Sequence, residues 1–426
     1  MNKLISLIAL ASLSFLSVAC IEQAVNTTGS AGAAGQAQAG AAGTAGSGGS
    51  NAGAGGSDAG AAGQAGSGGS NAGAGGEAGA GGAGSGGAAG AGEQTVPEGP
   101  PGSVGAKCKD DGTCDPDLVC SASLHCQPSL SELPSQIVQA VPPPDSVEVP
   151  SAAPILLFTD GSYANVTFKI DLFTKEGVSD VTAQISLGKI ASSTGKDVFV
   201  IAPKQPYPLG ASVVVGLSGD ITGKLTFNIA TSSPGTPASL GFEGGADQEG
   251  CDHGALPQGW KGFGDFAALE STGSLVPTEG SSMLGLSSGK AFCGQAIGDT
   301  TSLVVSGPIG AGEAGVSFDY NFLSSEFDDY CNSAYDDSFI AVLSGPKGLV
   351  ARLVNSVNLI CATGKQTDAE FPGQPDGGDT VFRQTGNLTY SLEGDVGSPA
   401  TLTFVTTDVG DKILSSLVGI DNIAIK

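Results

Sequence analysis

Positive charge is scarce in this chain. Lys and Arg together number 17 against 42 Asp and Glu, and the formal net charge is −25. That balance argues against nucleic acid as a partner, because such binding rests on basic contacts to phosphate. It also argues against direct attraction to an anionic membrane surface. Histidine occurs twice, at His125 and His253, and tryptophan once, at Trp260. Beyond the first 20 residues no apolar run is long enough to span a bilayer. Pro is absent before Pro97. No H-E-x-x-H, P-loop or G-x-G-x-x-G context occurs, so the common metalloprotease and nucleotide-binding chemistries have no foothold.

What is there begins with MNKLISLIALASLSFLSVAC. One Lys precedes an apolar run, and small residues precede Cys20, which is the layout of a secretory signal over residues 1–20. The Leu-Ser-Val-Ala-Cys ending resembles a bacterial lipobox, with Ser17 where that family usually has Leu. The resemblance implies that Cys20 is lipidated and that the membrane is met only through this anchor. Residue 21 is Ile21 rather than the Asp that often retains such lipoproteins at the inner membrane, so the resemblance implies an outer-membrane address; the long tether that follows suggests display toward the exterior, with a spacer across the periplasm or cell-wall layer as the alternative. Residues 21–104 are dominated by Gly, Ala and Ser, and AGSGGSNAGAGG occurs at 45–56 and again at 65–76. Such a composition cannot bury enough apolar surface to offset its ordering entropy. A disordered tether is expected, with an r.m.s. reach of roughly 50 Å.

The nine cysteines support export. Setting Cys20 aside leaves Cys108, Cys114, Cys120 and Cys126 in one cluster and Cys251, Cys293, Cys331 and Cys361 in another, an even count that reads as disulfides. The first four lie in 105–128 at equal spacing and lack the close C-x-x-C pairs of zinc sites. A small disulfide-held knob is expected there, with all three connectivities open. In the second cluster, Cys331–Cys361 would pin an acidic loop and Cys251–Cys293 would tie the N-terminal part of its domain.

Residues 129–234 alternate short β-branched runs with turn residues, the spacing of an all-β sandwich. PPPDSVEVPSAAPILLFTDG and YPLGASVVVGLSGDITG resemble the opening and a late strand of bacterial Ig-like domains of the S-layer SbsA type. That resemblance implies a spacer or adhesion module without catalytic residues. Residues 237–426 carry further strand-like runs without a long helical pattern. In VSFDYNFL, Val316, Phe318, Tyr320 and Phe322 share one face, as in a half-buried strand. A jelly-roll (concanavalin-like) double sheet is expected, so the fold class is all-β, an Ig-like sandwich followed by a jelly roll.

Within that last region FLSSEFDDYCNSAYDDSF, residues 322–339, holds five carboxylates, and no Lys or Arg occurs from Ala291 to Pro346. SLGFEGG, LPQGW, PTEGSSMLGLSSG and the closing VGIDNIAI are similar to secreted jelly-roll modules of MAM and carbohydrate-binding types. FDYNFLSSEFDDYCNSAYDDSFIAVLSGP and TTDVGDKILSSLVGIDNIAI resemble the choice-of-anchor L family, with Asp336 where that family often has Asn. The jelly-roll resemblance implies a structural calcium between Glu243 and Asp421. A buried lone carboxylate must be paired, metal-bound or protonated, and Asp421 shares strand parity with Ile423 and Ile425. Glu326, Asp328, Asp336 and Asp337 are a second candidate Ca²⁺ set, with a solvated acidic loop as the alternative.

An enzyme is not expected. Gly285-Leu-Ser-Ser-Gly289 fits G-x-S-x-G, but both histidines precede Ser287 and the surroundings read as strand and turn. Paired carboxylates such as Glu326 and Asp337 leave a glycan hydrolase as the less favoured reading. The favoured one is a non-catalytic adhesion protein meeting extracellular matrix, a glycan or a surface protein, with glycan recognition of the carbohydrate-binding-module type as the alternative.

Overall fold

Strands that are apolar without alternation must be covered on both faces, and this chain has them in each half. The computed structural model describes residues 100–426 apart from 104–105, 116–117, 121–125, 129–131, 244–255, 290–291, 293–300, 311–313, 328, 372–381 and 410–413. The signal, Cys20, most of the tether, Cys251, Cys293 and Asp328 lie outside the described residues. The architecture is all-β, in antiparallel sheets.

The hairpin of β1 (Leu118–Cys120) and β2 (Cys126–Pro128) forms the knob. It is stapled by Cys108–Cys120 and Cys114–Cys126, with Cα–Cα distances of 5.7 and 5.6 Å, ordinary for disulfides. Three of its sulfurs, on Cys108, Cys114 and Cys126, lie within 4.8 Å of one another because the two bridges are neighbours. All three are spent in disulfides, so none is a thiolate ligand.

The next strands are β3 (Ile137–Val141), β4 (Ile155–Thr159), β5 (Val166–Thr174), β6 (Gly177–Asp180), β7 (Ile185–Ala191), β8 (Asp197–Pro203), β9 (Ser212–Gly219) and β10 (Gly223–Asn228). They make two four-stranded sheets, in the orders β10-β9-β5-β6 and β3-β4-β8-β7. In β5 exposed and covered positions alternate along its first half, as on an outer sheet. Every residue of β4 and β8 is buried.

The third group comprises β11 (Trp260–Phe263), β12 (Asp265–Leu269), β13 (Met283–Ser287), β14 (Thr301–Ser306), β15 (Gly315–Ser324), β16 (Ser338–Gly345), β17 (Gly348–Ser356), the short helix α1 (Val357–Thr363), β18 (Thr367–Asp368), β19 (Arg383–Gln384), β20 (Leu388–Glu393), β21 (Thr401–Thr407) and β22 (Ser416–Ile425). One sheet runs β11-β14-β21-β16-β17. The other runs β12-β13-β22-β15-β19-β18, with β20 also paired to β15.

Between these two sheets lies an aromatic core. Val316, Phe318, Tyr320 and Phe322 of β15 meet Phe339, Ala341 and Leu343 of β16, with Trp260, Phe242 and Phe404 beside them. The intervening residues of β16, Ile340 and Val342, face the other way. They join Leu303, Ala351 and Val405 in a core continuous with Leu157, Phe158, Val198 and Val200 of the preceding sandwich. Strand β7 runs along β17, β3 lies over β14 and β8 over β16. A Cβ on Gly188 would sit 2.8 Å from a terminal methyl of Leu349, which shows how closely β7 and β17 approach. The two sandwiches are therefore four stacked layers with one buried seam, rather than two beads on a string.

Candidate binding loop

The acidic stretch becomes a loop because β15 ends at Ser324 and β16 begins at Ser338. Its tip is held from several sides. Cys331 is bridged to Cys361 of α1, with Cα atoms 5.7 Å apart. The Asn358 side chain clasps the loop: its Oδ1 accepts from the Asn332 N–H at 2.6 Å and its Nδ2 donates to the Ser333 carbonyl at 3.1 Å. Asn332 adopts a left-handed φ of 60°, a conformation that Asn tolerates better than most residues. The Ser333 hydroxyl accepts from the Tyr335 N–H at 3.0 Å. Tyr330 and Tyr335 meet edge to face, 5.5 Å between ring centroids, and both are half-buried. Asp329, Asn332 and Ala334 are exposed beside them. The helix itself is capped, with Ser356 Oγ accepting from Leu359 N–H at 3.2 Å and Gly364 closing the C-terminus.

The structure separates the carboxylates that the sequence places together. Asp336 and Asp337, adjacent just before β16, take different partners. Asp337, fully buried, accepts the Ser288 hydroxyl at 2.8 Å and the Val409 N–H at 3.1 Å. Asp336, 3% exposed, accepts the Asn358 N–H at 2.8 Å on Oδ1 and the Ser193 hydroxyl on Oδ2. Glu326 is buried at the end of β15, beside the buried hydroxyls of Ser324 and Ser325. Among the described residues no three acidic side chains bring oxygens within 4.8 Å of one another.

Glu243 and Asp421 do converge, on one loop. Glu243 accepts the Ser281 and Ser282 N–H groups at 2.9 and 3.0 Å and the Ser281 hydroxyl at 2.8 Å. Asp421 accepts the Thr278 and Glu279 N–H groups at 2.7 and 2.8 Å. The Ser281 hydroxyl, then the Ser282 and Ser281 amides, hold the Glu243 carboxyl below the usual range. Gly280 has φ 63°, and a Cβ there would lie 2.1 Å from a Glu243 oxygen, so glycine lets the loop wrap this carboxylate. Asp319, directly opposite Asp421 in register, is a third acid at this loop. Burial raises its pKa, but hydrogen bonds from Thr389, Asn422 and Thr278 outweigh burial and leave it lowered.

Calcium takes about six to eight oxygen ligands. Glu243, Asp421, Asp336 and Asp337 each also spend oxygens on N–H and O–H donors, and Asp328 of the second expected set lies outside the described residues.

The Gly285–Gly289 match runs out of β13 into a bend. Ser287 is fully buried and its Oγ accepts the Gly289 N–H at 3.0 Å. A nucleophile elbow needs an exposed serine at a strand-to-helix turn, so this serine is structural. Tyr330, Tyr335, Asn358 and Asp319 escaped the sequence reading. A signal existed for the tyrosines, since both flank Cys331 in a loop with a paired cysteine. For Asn358 there was none, because its role depends on α1 folding back over the loop.

No protein-family model and no curated protein matches the chain. Among solved structures it is similar to carbohydrate-binding modules of the β-sandwich superfamily, at 10% identity, covering 69% of this chain and 97% of that one with a TM-score of 0.21. It is also similar to the K3 cleaved adhesin domain of Lys-gingipain from Porphyromonas gingivalis w83, at 12% identity, covering 44% of this chain and 95% of that one with a TM-score of 0.23.

Proposed function

We propose that this is an exported, lipid-anchored, non-catalytic binding protein that meets matrix, glycan or a surface protein through the loop of residues 329–335. One observation carries the reading. That loop presents a tyrosine pair and exposed polar side chains while its backbone is pinned by a disulfide, by Asn358 and by Ser333. A loop already ordered before contact loses little conformational entropy on binding, which favours affinity. Tyrosine offers a large amphipathic contact area with few rotatable bonds. The fixed β framework beneath supplies the rigid support on which functional loops are commonly mounted.

The test uses the full chain on a printed oligosaccharide array and on surfaces coated with matrix proteins. Tyr330→Ala and Tyr335→Ala are each expected to weaken the strongest wild-type signal by about tenfold, the size of a modest interface hot spot. Their melting temperatures should stay close to wild type. Equal binding by wild type and both variants would remove the loop from the reading. Release of the folded part by protease treatment of intact cells tests outward display.

A further inference from the structure

The first sandwich reaches into the loop of the second at one point. The turn between β7 and β8 is fixed by its own hydrogen bonds: Ser192 N–H donates to the Lys196 carbonyl at 2.8 Å, Gly195 N–H to the Ser192 carbonyl at 3.0 Å, and Lys196 N–H to Ser192 Oγ at 3.1 Å. From this turn Ser193 donates its hydroxyl to Asp336 Oδ2. The other oxygen of the same carboxylate accepts the Asn358 N–H at 2.8 Å. Asn358 then holds the loop backbone at Asn332 and Ser333, and its helix carries Cys361, the partner of Cys331. A continuous path of hydrogen bonds thus runs from Ser193 through Asp336 and Asn358 to the loop tip.

We infer that the β7–β8 turn is a positioning element for the contact loop, with Ser193 as the residue that sets it. The carboxylate of Asp336 is the joint, one oxygen on each sandwich. Being 3% exposed, it has few alternative donors from solvent. The cavity at this joint has a volume of about 20 Å³ and is lined by Ser192, Thr194, Lys196, Ala334 and Asp336, among others. That is room for about one water. A water can hydrate Asp336 when Ser193 loses its hydroxyl, so the variant keeps its fold. Water cannot tie the carboxylate to a rigid turn, so the loop loses its support. The consequence for partner binding rests on the loop reading above; the positioning itself does not.

The experiment compares wild type with Ser193→Ala, Ser193→Thr and, as a hydroxyl control in the β5–β6 turn of the same sandwich, Thr174→Ala. Two readouts are used on the full chain without any ligand. The first is amide hydrogen exchange of peptides covering 329–335, with β9 as an internal reference. The second is the rate at which dithiothreitol reduces Cys331–Cys361 relative to Cys108–Cys120. Ser193→Ala is expected to speed both loop exchange and Cys331–Cys361 reduction by about three- to tenfold, the scale of one ordinary net hydrogen bond, since a water takes up part of the loss. The β9 reference and the knob disulfide should not change. Ser193→Thr restores the hydroxyl and should return both rates to wild type, and Thr174→Ala should leave both rates unchanged. Unchanged loop rates in Ser193→Ala would overturn the inference. So would a uniform rise that includes β9, which marks general destabilisation. Array binding separates the two ideas: if Ser193→Ala loosens the loop while Tyr335→Ala binds as wild type, the positioning stands and the contact-surface reading falls.

Discussion

At the scale of single residues, several carboxylates are met by donors from the chain's own backbone and hydroxyls. Asp337 shows the cost most directly. It is fully buried, and its two oxygens satisfy the Ser288 hydroxyl and the Val409 N–H. Truncation strands both donors away from water, so Asp337→Ala should cost about 3 kcal/mol, read as a lower urea midpoint at unchanged slope. An effect under about 0.5 kcal/mol, typical of surface positions, would mean the donors find other partners. Asp197 extends the logic to pH. Burial alone would raise its pKa, but the Tyr163 N–H, the Lys189 ammonium and the Ser162 hydroxyl together leave it lowered. Asp319 and Glu243 are lowered too. A lowered folded pKa gives stability that is present above the unfolded value of about 4 and is lost as pH falls through the folded value. The urea midpoint should therefore stay level from about pH 7 to 5 and drop below about pH 4, with a shallower drop in Asp197→Asn. A midpoint that rises on acidification would reverse the assigned sign.

At the scale of elements, the decisive pieces are loops that bind acids with N–H groups. The 278–282 loop turns its amides toward Glu243 and Asp421, a geometry suited to anions. Chelation by EDTA should accordingly shift the melting temperature by less than about 2 °C, below the roughly 2–4 °C that one kcal/mol yields in a domain of 150–250 residues. A larger fall, reversed by Ca²⁺, would assign an ion to this loop. Parts of this were legible beforehand. The pairing of Glu243 with Asp421 came from the jelly-roll resemblance, and the face shared by Val316, Phe318, Tyr320 and Phe322 follows from strand parity. The donors were not legible, because composition shows lysines and arginines but hides the backbone. The T-E-G-S-S run gave no sign that the amides of Thr278, Glu279, Ser281 and Ser282 would donate to two acids distant in sequence.

At the scale of the whole molecule, the seam between the sandwiches governs how the protein fails. Runs such as ILLF in β4, VFVIA in β8 and FIAVL in β16 have no polar alternation, and each is covered on both faces. Without the first sandwich, Leu303, Ile340, Val342 and Val405 would face water, and burying side chains of that size contributes about 1.5–3 kcal/mol each. The two halves should therefore unfold together. Trp260 makes this measurable, because it is the only tryptophan and sits in the second sandwich against Phe242, 4.9 Å between ring centroids. Leu157 is fully buried in the first sandwich, in the core shared with Ile340 and Val342. Leu157→Ala should cost about 2–5 kcal/mol. If the seam couples the halves, the Trp260 fluorescence midpoint falls by the same amount as the far-ultraviolet circular dichroism midpoint, and both traces remain single transitions. If the halves are independent, the circular dichroism trace splits while Trp260 melts where it did before. That second pattern would return the first sandwich to a simple spacer, and the link from Ser193 to the loop would then join two bodies that move apart.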